Sequence, residues 1–143
     1  MQKTVIEPVE NRPFSRAIVV EEPSHKRVFV SGAAAIDESA RVVGKGDIAE
    51  QTRVTPDAIR GYLDEAGGGI EDIVRVRGYA NCELTAENYA AINEARREFF
   101  TGPNRLPSSS VVGVKSLVLE DLLIEIDAEA IIPDDGWSVT VSD

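Results

Sequence analysis

Two groups of chemically able residues lie in the last third of the chain. Glu125 is a lone carboxylate set among Leu123, Ile124 and Ile126 in the apolar run Leu122 to Ile132. Burial there would raise its pKa, which suits a carboxyl that exchanges a proton with water or holds a water in place. Spacing alone equally allows an outward residue on an alternating strand. The second group, Ser108, Ser109 and Ser110, follows Pro107. Its hydroxyls either satisfy backbone groups at the start of a strand or line a small polar pocket.

Other chemistries are limited by inventory. One histidine and one cysteine, with no second soft or imidazole ligand near either, do not make a zinc site. A nucleophile–histidine pair would have to use His25, which falls in an expected hairpin turn. Gly67-Gly68-Gly69 follows a helical stretch rather than opening one, so it reads as a helix stop and not a phosphate loop. A net charge of −10 opposes binding to nucleic acid or an anionic membrane, both of which reward a basic face. Local basic clusters remain at Arg75 with Arg77, and at Arg96 with Arg97.

Length and composition bound the rest. With 143 residues, 43% hydrophobic and 28% charged, the chain is expected to form one domain. Its core is expected over about 13–132, with 133–143 as an irregular extension carrying Trp137. A single cysteine excludes an internal disulfide. The first residues have no apolar core of signal-peptide length and no run reaches a membrane span, so a cytoplasmic location is expected.

The elements that must position these residues can be read in order. Val5-Ile6 suits a short edge strand. Ala17 to Val20 and Arg27 to Ser31 read as an antiparallel hairpin joined by Glu22 to Lys26. Asp47 caps a helix from Ile48, with Ile59, Leu63 and Ala66 on one face, a bend at Pro56 and a stop at Gly67. Ile73 to Ala80 alternates as a strand. Thr85 caps a second helix, Ala86 to Phe100, with Tyr89, Ile92 and Phe99 inward, and two strands complete the order. The pattern predicts an α+β protein in which two helices pack on one face of a single mixed sheet.

With these elements in hand, the chain resembles the RidA/YjgF family, also called the endoribonuclease L-PSP family. The resemblance runs from Pro13 to Ile132. Its carriers are Pro13-Phe-Ser-Arg-Ala17, Val28-Phe-Val-Ser-Gly32, Gln51-Thr52, Asn93 with Phe99-Phe100, the strand after Pro107, and Ile124-Glu-Ile-Asp-Ala128. It implies a chorismate-mutase-like fold and a homotrimer with a small-molecule ligand in each intersubunit cleft. Members with the full pattern hydrolyse enamines and imines such as 2-aminoacrylate without metal or cofactor.

Carried over position by position, the resemblance places Glu125 on the water-positioning glutamate, Ser31 and Gly32 on the pocket strand, and Asn93 on the family asparagine. Ser110 follows in the same strand. Three positions depart: Ser109 stands where an arginine clamps the substrate carboxylate, Val111 where a cysteine is common, and Phe14 where a tyrosine lines the site. A serine hydroxyl cannot supply two charge-assisted bonds to a carboxylate. Efficient 2-aminoacrylate deamination is therefore not expected. Arg16, in place of the usual glutamine, is a candidate for returning positive charge to the cleft, with Arg75 and Arg77 as weaker substitutes.

The leading expectation is a trimer of an arginine-lacking subgroup that hydrolyses, deaminates or tautomerises a small enamine, imine or related metabolite through Glu125 and a water. Its rival is a non-catalytic ligand-sensing or partner-binding trimer. A ribonuclease is disfavoured by the acidic balance and by the absence of a His or Lys pair at the site.

Overall fold

The computed structural model describes residues 1–142. Six strands, β1 (Gln2–Pro8), β2 (Ser15–Glu21), β3 (His25–Ala34), β4 (Ile73–Ala80), β5 (Ser108–Gly113) and β6 (Ile124–Pro133), form one sheet in the order β1-β2-β3-β6-β4-β5. Two helices, α1 (Ile48–Ala66) and α2 (Ala86–Arg96), connect β3 to β4 and β4 to β5. Only β4 and β5 pair in parallel; every other ladder is antiparallel.

The strand that carries Glu125 is central. In β6, Ile124, Ile126, Ala128 and Ala130 are buried, while Glu125, Asp127 and Glu129 between them are half-buried on the other face. That period of two fixes which residues meet the helices. The buried set joins Val28 and Val30 of β3, Val76 of β4, and Ile59, Leu63 and Ile92 of the helices in one core. α1 lies against β2, β3 and β6, and α2 packs on α1.

The helix ends follow their local chemistry. Asp47 accepts from the Glu50 amide, and Gly67, at φ 87°, ends α1 in the left-handed conformation that glycine tolerates best. Pro56 lies inside this single helix, and Thr55 and Pro56 are both buried. Thr85 caps α2 through the Asn88 amide. The second helix is shorter than expected, closing at Arg96, although Phe99 and Phe100 beyond it still pack against the core. Tyr89 is a correction: it is 49% exposed, whereas Ile92 and Ala95 are fully buried. Six residues turn a helix through about 600°, which leaves Tyr89 about 120° round from Ala95 and at the outer edge of the stripe that Ile92 and Ala95 define.

The β2–β3 hairpin is also tighter than the pattern predicts. Its connection is Glu22 to Ser24, closed by the Glu22 amide donating to the His25 carbonyl at 3.0 Å, so His25 belongs to the strand. Past β6, the tail turns irregular, and the Trp137 indole donates to Asp72 Oδ1 at 2.8 Å.

One buried polar residue holds the approach to β6. Gln51, wholly buried in α1, donates to the carbonyls of Asp121 at 2.9 Å and Gly44 at 3.3 Å, and accepts from the Leu123 amide at 2.8 Å. Gln51→Leu keeps most of the volume but strands these backbone groups. It is expected to cost about 2–4 kcal/mol, read as a lowered denaturant midpoint with an unchanged slope.

No helix among the described residues is long and apolar enough to cross a membrane.

Candidate functional site

The face of the sheet away from the helices carries a polar band on β6 and β4, beside apolar residues such as Phe29 and Val112. Glu125, Asp127 and Glu129 run along β6, with Arg77 and Tyr79 beside them on β4. Arg77 donates to Asp127 at 2.7 Å and Glu129 at 3.1 Å, and the Tyr79 hydroxyl donates to Asp127 at 2.9 Å. Two of the three carboxylates are thus compensated. Arg77 is committed to them, which removes it as a substitute ligand-binding cation.

Glu125 stands apart from that network. It lies across from Tyr79 on one side and Ala34 on the other. Its side chain runs over Gly32, where the β3–β6 register shifts between Val30 and Ala33. A Cβ at Gly32 would stand 2.7 Å from the Glu125 carboxyl carbon, so the close approach requires glycine. No side-chain hydrogen bond holds the Glu125 carboxyl among the described residues. Burial raises its pKa above the ordinary glutamate range, and the negative charge of Asp127 adds to the rise. A half-buried, unpartnered carboxyl whose pKa is raised suits acid–base work on water.

The remaining expected residues divide between locations. Ser31 donates to the Ser15 carbonyl at 2.7 Å, tying the start of β2 to the strand that bears Gly32. Phe14, 46% exposed, and the exposed Arg16 flank that tie. Arg16 makes no ion pair among the described residues; its charge acts on the phenol of Tyr62, which burial and Glu7 push the other way. Ser110 pairs across from Arg77 and so shares the face of Glu125.

Ser109 and Val111 do not. They lie opposite Val76 and Gly78, on the helix-facing side of edge strand β5. Asn93 sits on α2, lining a shallow hollow with Tyr89, Ala90 and Arg97. Ser108 donates to the Val74 carbonyl at 3.1 Å, the backbone-satisfying role open to it from sequence.

Ala33 and Ala35 are both buried, at 8% and 0% exposure, and Ala33 belongs to the core. The register shift in β3 turns them inward, and only Ala34 stays beside Glu125.

Sequence reasoning missed the place of Arg96, which it named as half of a basic pair with Arg97. Its Nη2 donates to Ser109 Oγ at 2.8 Å, and its guanidinium rests 5.8 Å from the Phe100 ring centroid. Burial lowers its pKa. The available signal was a basic residue in the last helical turn, four residues before a core aromatic.

The family model described as endoribonuclease L-PSP matches residues 5–132. The chain belongs to that family, the RidA/YjgF family. Its relatives include a RutC family protein of Pyrococcus abyssi, 36% identical over 118 residues, which cover 82% of this chain and 85% of that one. Another is the 3-aminoacrylate deaminase RutC of Acinetobacter baylyi, 34% identical over 134 residues, covering 91% and 98% of the two chains. Among solved structures, a putative endoribonuclease of Thermotoga maritima aligns with TM-score 0.72 at 28% identity, covering 87% and 91%. A YjgF/YER057c/UK114 family member of Mycobacterium tuberculosis aligns with TM-score 0.71 at 28% identity, covering 92% and 100%. The family member described here thus has the chorismate-mutase-like α+β fold, with one mixed sheet and two helices.

Proposed function

We propose that this family member is a cofactor-free hydrolase that releases ammonia from a small enamine or imine, with Glu125 activating the attacking water. The observation that carries the reading is the carboxyl of Glu125, seated on Gly32, half-buried and unpartnered. The relative named 3-aminoacrylate deaminase supports the reaction class.

An enamine first takes a proton on carbon from solvent and becomes an iminium. Ionised Glu125 then accepts a proton from water as the oxygen bonds to the iminium carbon, giving the carbinolamine. Returned to the nitrogen, that proton makes ammonia the leaving group, and the carbinolamine hydroxyl gives its own proton to Glu125, and so to solvent, as the carbon–nitrogen bond breaks and the carbonyl forms. The balance is imine plus water giving a carbonyl compound plus ammonia.

Glu125 and Ser109 lie on opposite faces of one sheet, so a cleft that uses both requires a second copy. In this reading the open face of one subunit meets the β5 edge of the next, and three copies close the ring. The half-buried acidic row on the open face is the surface that such an assembly covers.

Ammonia release from 3-aminoacrylate and from a panel of imines generated in solution tests the activity. Rates equal to buffer across the panel, with ligand binding intact, would instead favour the non-catalytic sensing trimer. Sedimentation is expected to give about three times the 15.5 kDa chain mass, and a monomer alone would remove the intersubunit cleft.

A further inference from the structure

The arginines at 41, 53, 60, 77 and 97 each pair with a carboxylate. Arg96 does not, nor do the arginines at 12, 16, 27, 75 and 105; among the described residues the one side-chain hydrogen-bond partner of Arg96 is the neutral hydroxyl of Ser109. Position in the last turn of α2 accounts for a positive charge there, because the helix dipole favours one. It does not account for the guanidinium being folded back, half-buried, over Phe100 and onto the edge strand. A guanidinium carries five N–H donors in a planar fork, and the Ser109 oxygen accepts from one of its nitrogens.

The geometry points to Arg96 as the anchor for a ligand carboxylate at the β5 edge. It is a specificity-determining residue contributed by α2 and oriented by Ser109. A planar carboxylate matches the fork in two parallel bonds, which a hydroxyl cannot do. Partial desolvation by Phe100 strengthens such a pair relative to one in open water. The enzymatic part of this inference rests on the proposed deaminase reading, in which the carboxylate belongs to the enamine or imine. The binding part stands on Arg96 alone.

Propionate and propionamide separate the two. Titrated into the oligomer, propionate should bind wild type and lose on the order of tenfold to a hundredfold in affinity in Arg96→Gln, with Arg96→Lys between them. Propionamide should not discriminate among the three. Ser109→Asp, which places a carboxylate against the guanidinium from within, should abolish propionate binding with the fold retained by circular dichroism. In kinetics with 3-aminoacrylate, Arg96→Gln should raise KM by a similar factor and leave kcat close to wild type. Equal propionate affinity in wild type and Arg96→Gln overturns the anchor, whether or not the protein deaminates anything. No preference for propionate over propionamide in wild type does the same. Arg96-dependent propionate binding in a protein that releases no ammonia keeps the anchor and removes the deaminase reading.

Discussion

Glu125→Gln is expected to remove turnover by roughly a hundred- to ten-thousand-fold while making the protein more stable at neutral pH. The two effects share one cause. Burial and the neighbouring Asp127 charge raise the carboxyl pKa in the folded protein, so the folded state holds this proton to a higher pH than the unfolded chain. Where the folded state binds more protons, stability falls as pH rises. The deficit is absent below the unfolded pKa of about 4.3, grows as pH climbs through the folded value, and is constant above it. Glutamine carries no such deficit. Denaturant midpoints at pH 4 and pH 7 should therefore coincide for the two proteins in acid and separate at neutrality, with the variant higher. Activity should show the same ionisation from the other side, its acidic limb lying above the ordinary glutamate range because the ionised form is the base. A variant as active as wild type would remove Glu125 from the reaction.

Gly32→Ala is expected to act on function far more than on folding. The added methyl would stand 2.7 Å from the Glu125 carboxyl carbon and 3.0 Å from its Cγ. A backbone obstacle there would strain the sheet, but a side chain can swing away. The fold should persist with a melting temperature near wild type, while the displaced carboxyl leaves the water site and activity falls nearly as far as in Glu125→Gln. The double variant should then be no worse than Glu125→Gln alone, because both changes remove one interaction. Additive losses would show that Gly32 serves the site in some other way.

Much of the frame was readable before the structure. Asp47, Thr85 and Gly67 act as caps because capping depends on residues within a turn of one another. The alternation in Ile124 to Ala130 likewise predicts a two-sided strand, since its period is a local property. Which face of a neighbouring strand a residue shares is set by register between distant segments, and the sequence does not spell that out. Ser109 and Glu125 could be named as site positions from resemblance, yet only the pairing of Ser109 with Val76 and of Glu125 with Tyr79 reveals opposite faces. The shift between Val30 and Ala33 had the same consequence for Ala33 and Ala35. Arg96 was hidden for a related reason: its partner lies 13 residues on, across a connection no periodicity describes.

The place of β6 between β3 and β4 bears on how the chain acquires this shape. The first three strands can zip together from contacts close in sequence, and β4 can meet β5 across one helix. Neither group touches the other through a ladder until the segment after residue 123 arrives. During synthesis the nascent chain therefore carries two unjoined sheet fragments with open edges, the kind of surface that mispairs when left waiting. Closure depends on pairings as distant as Lys26 with Ile132, which makes a slow, late step the expected one. Because Glu125 is on the closing strand, the carboxyl meets Gly32 only when the two fragments become one sheet.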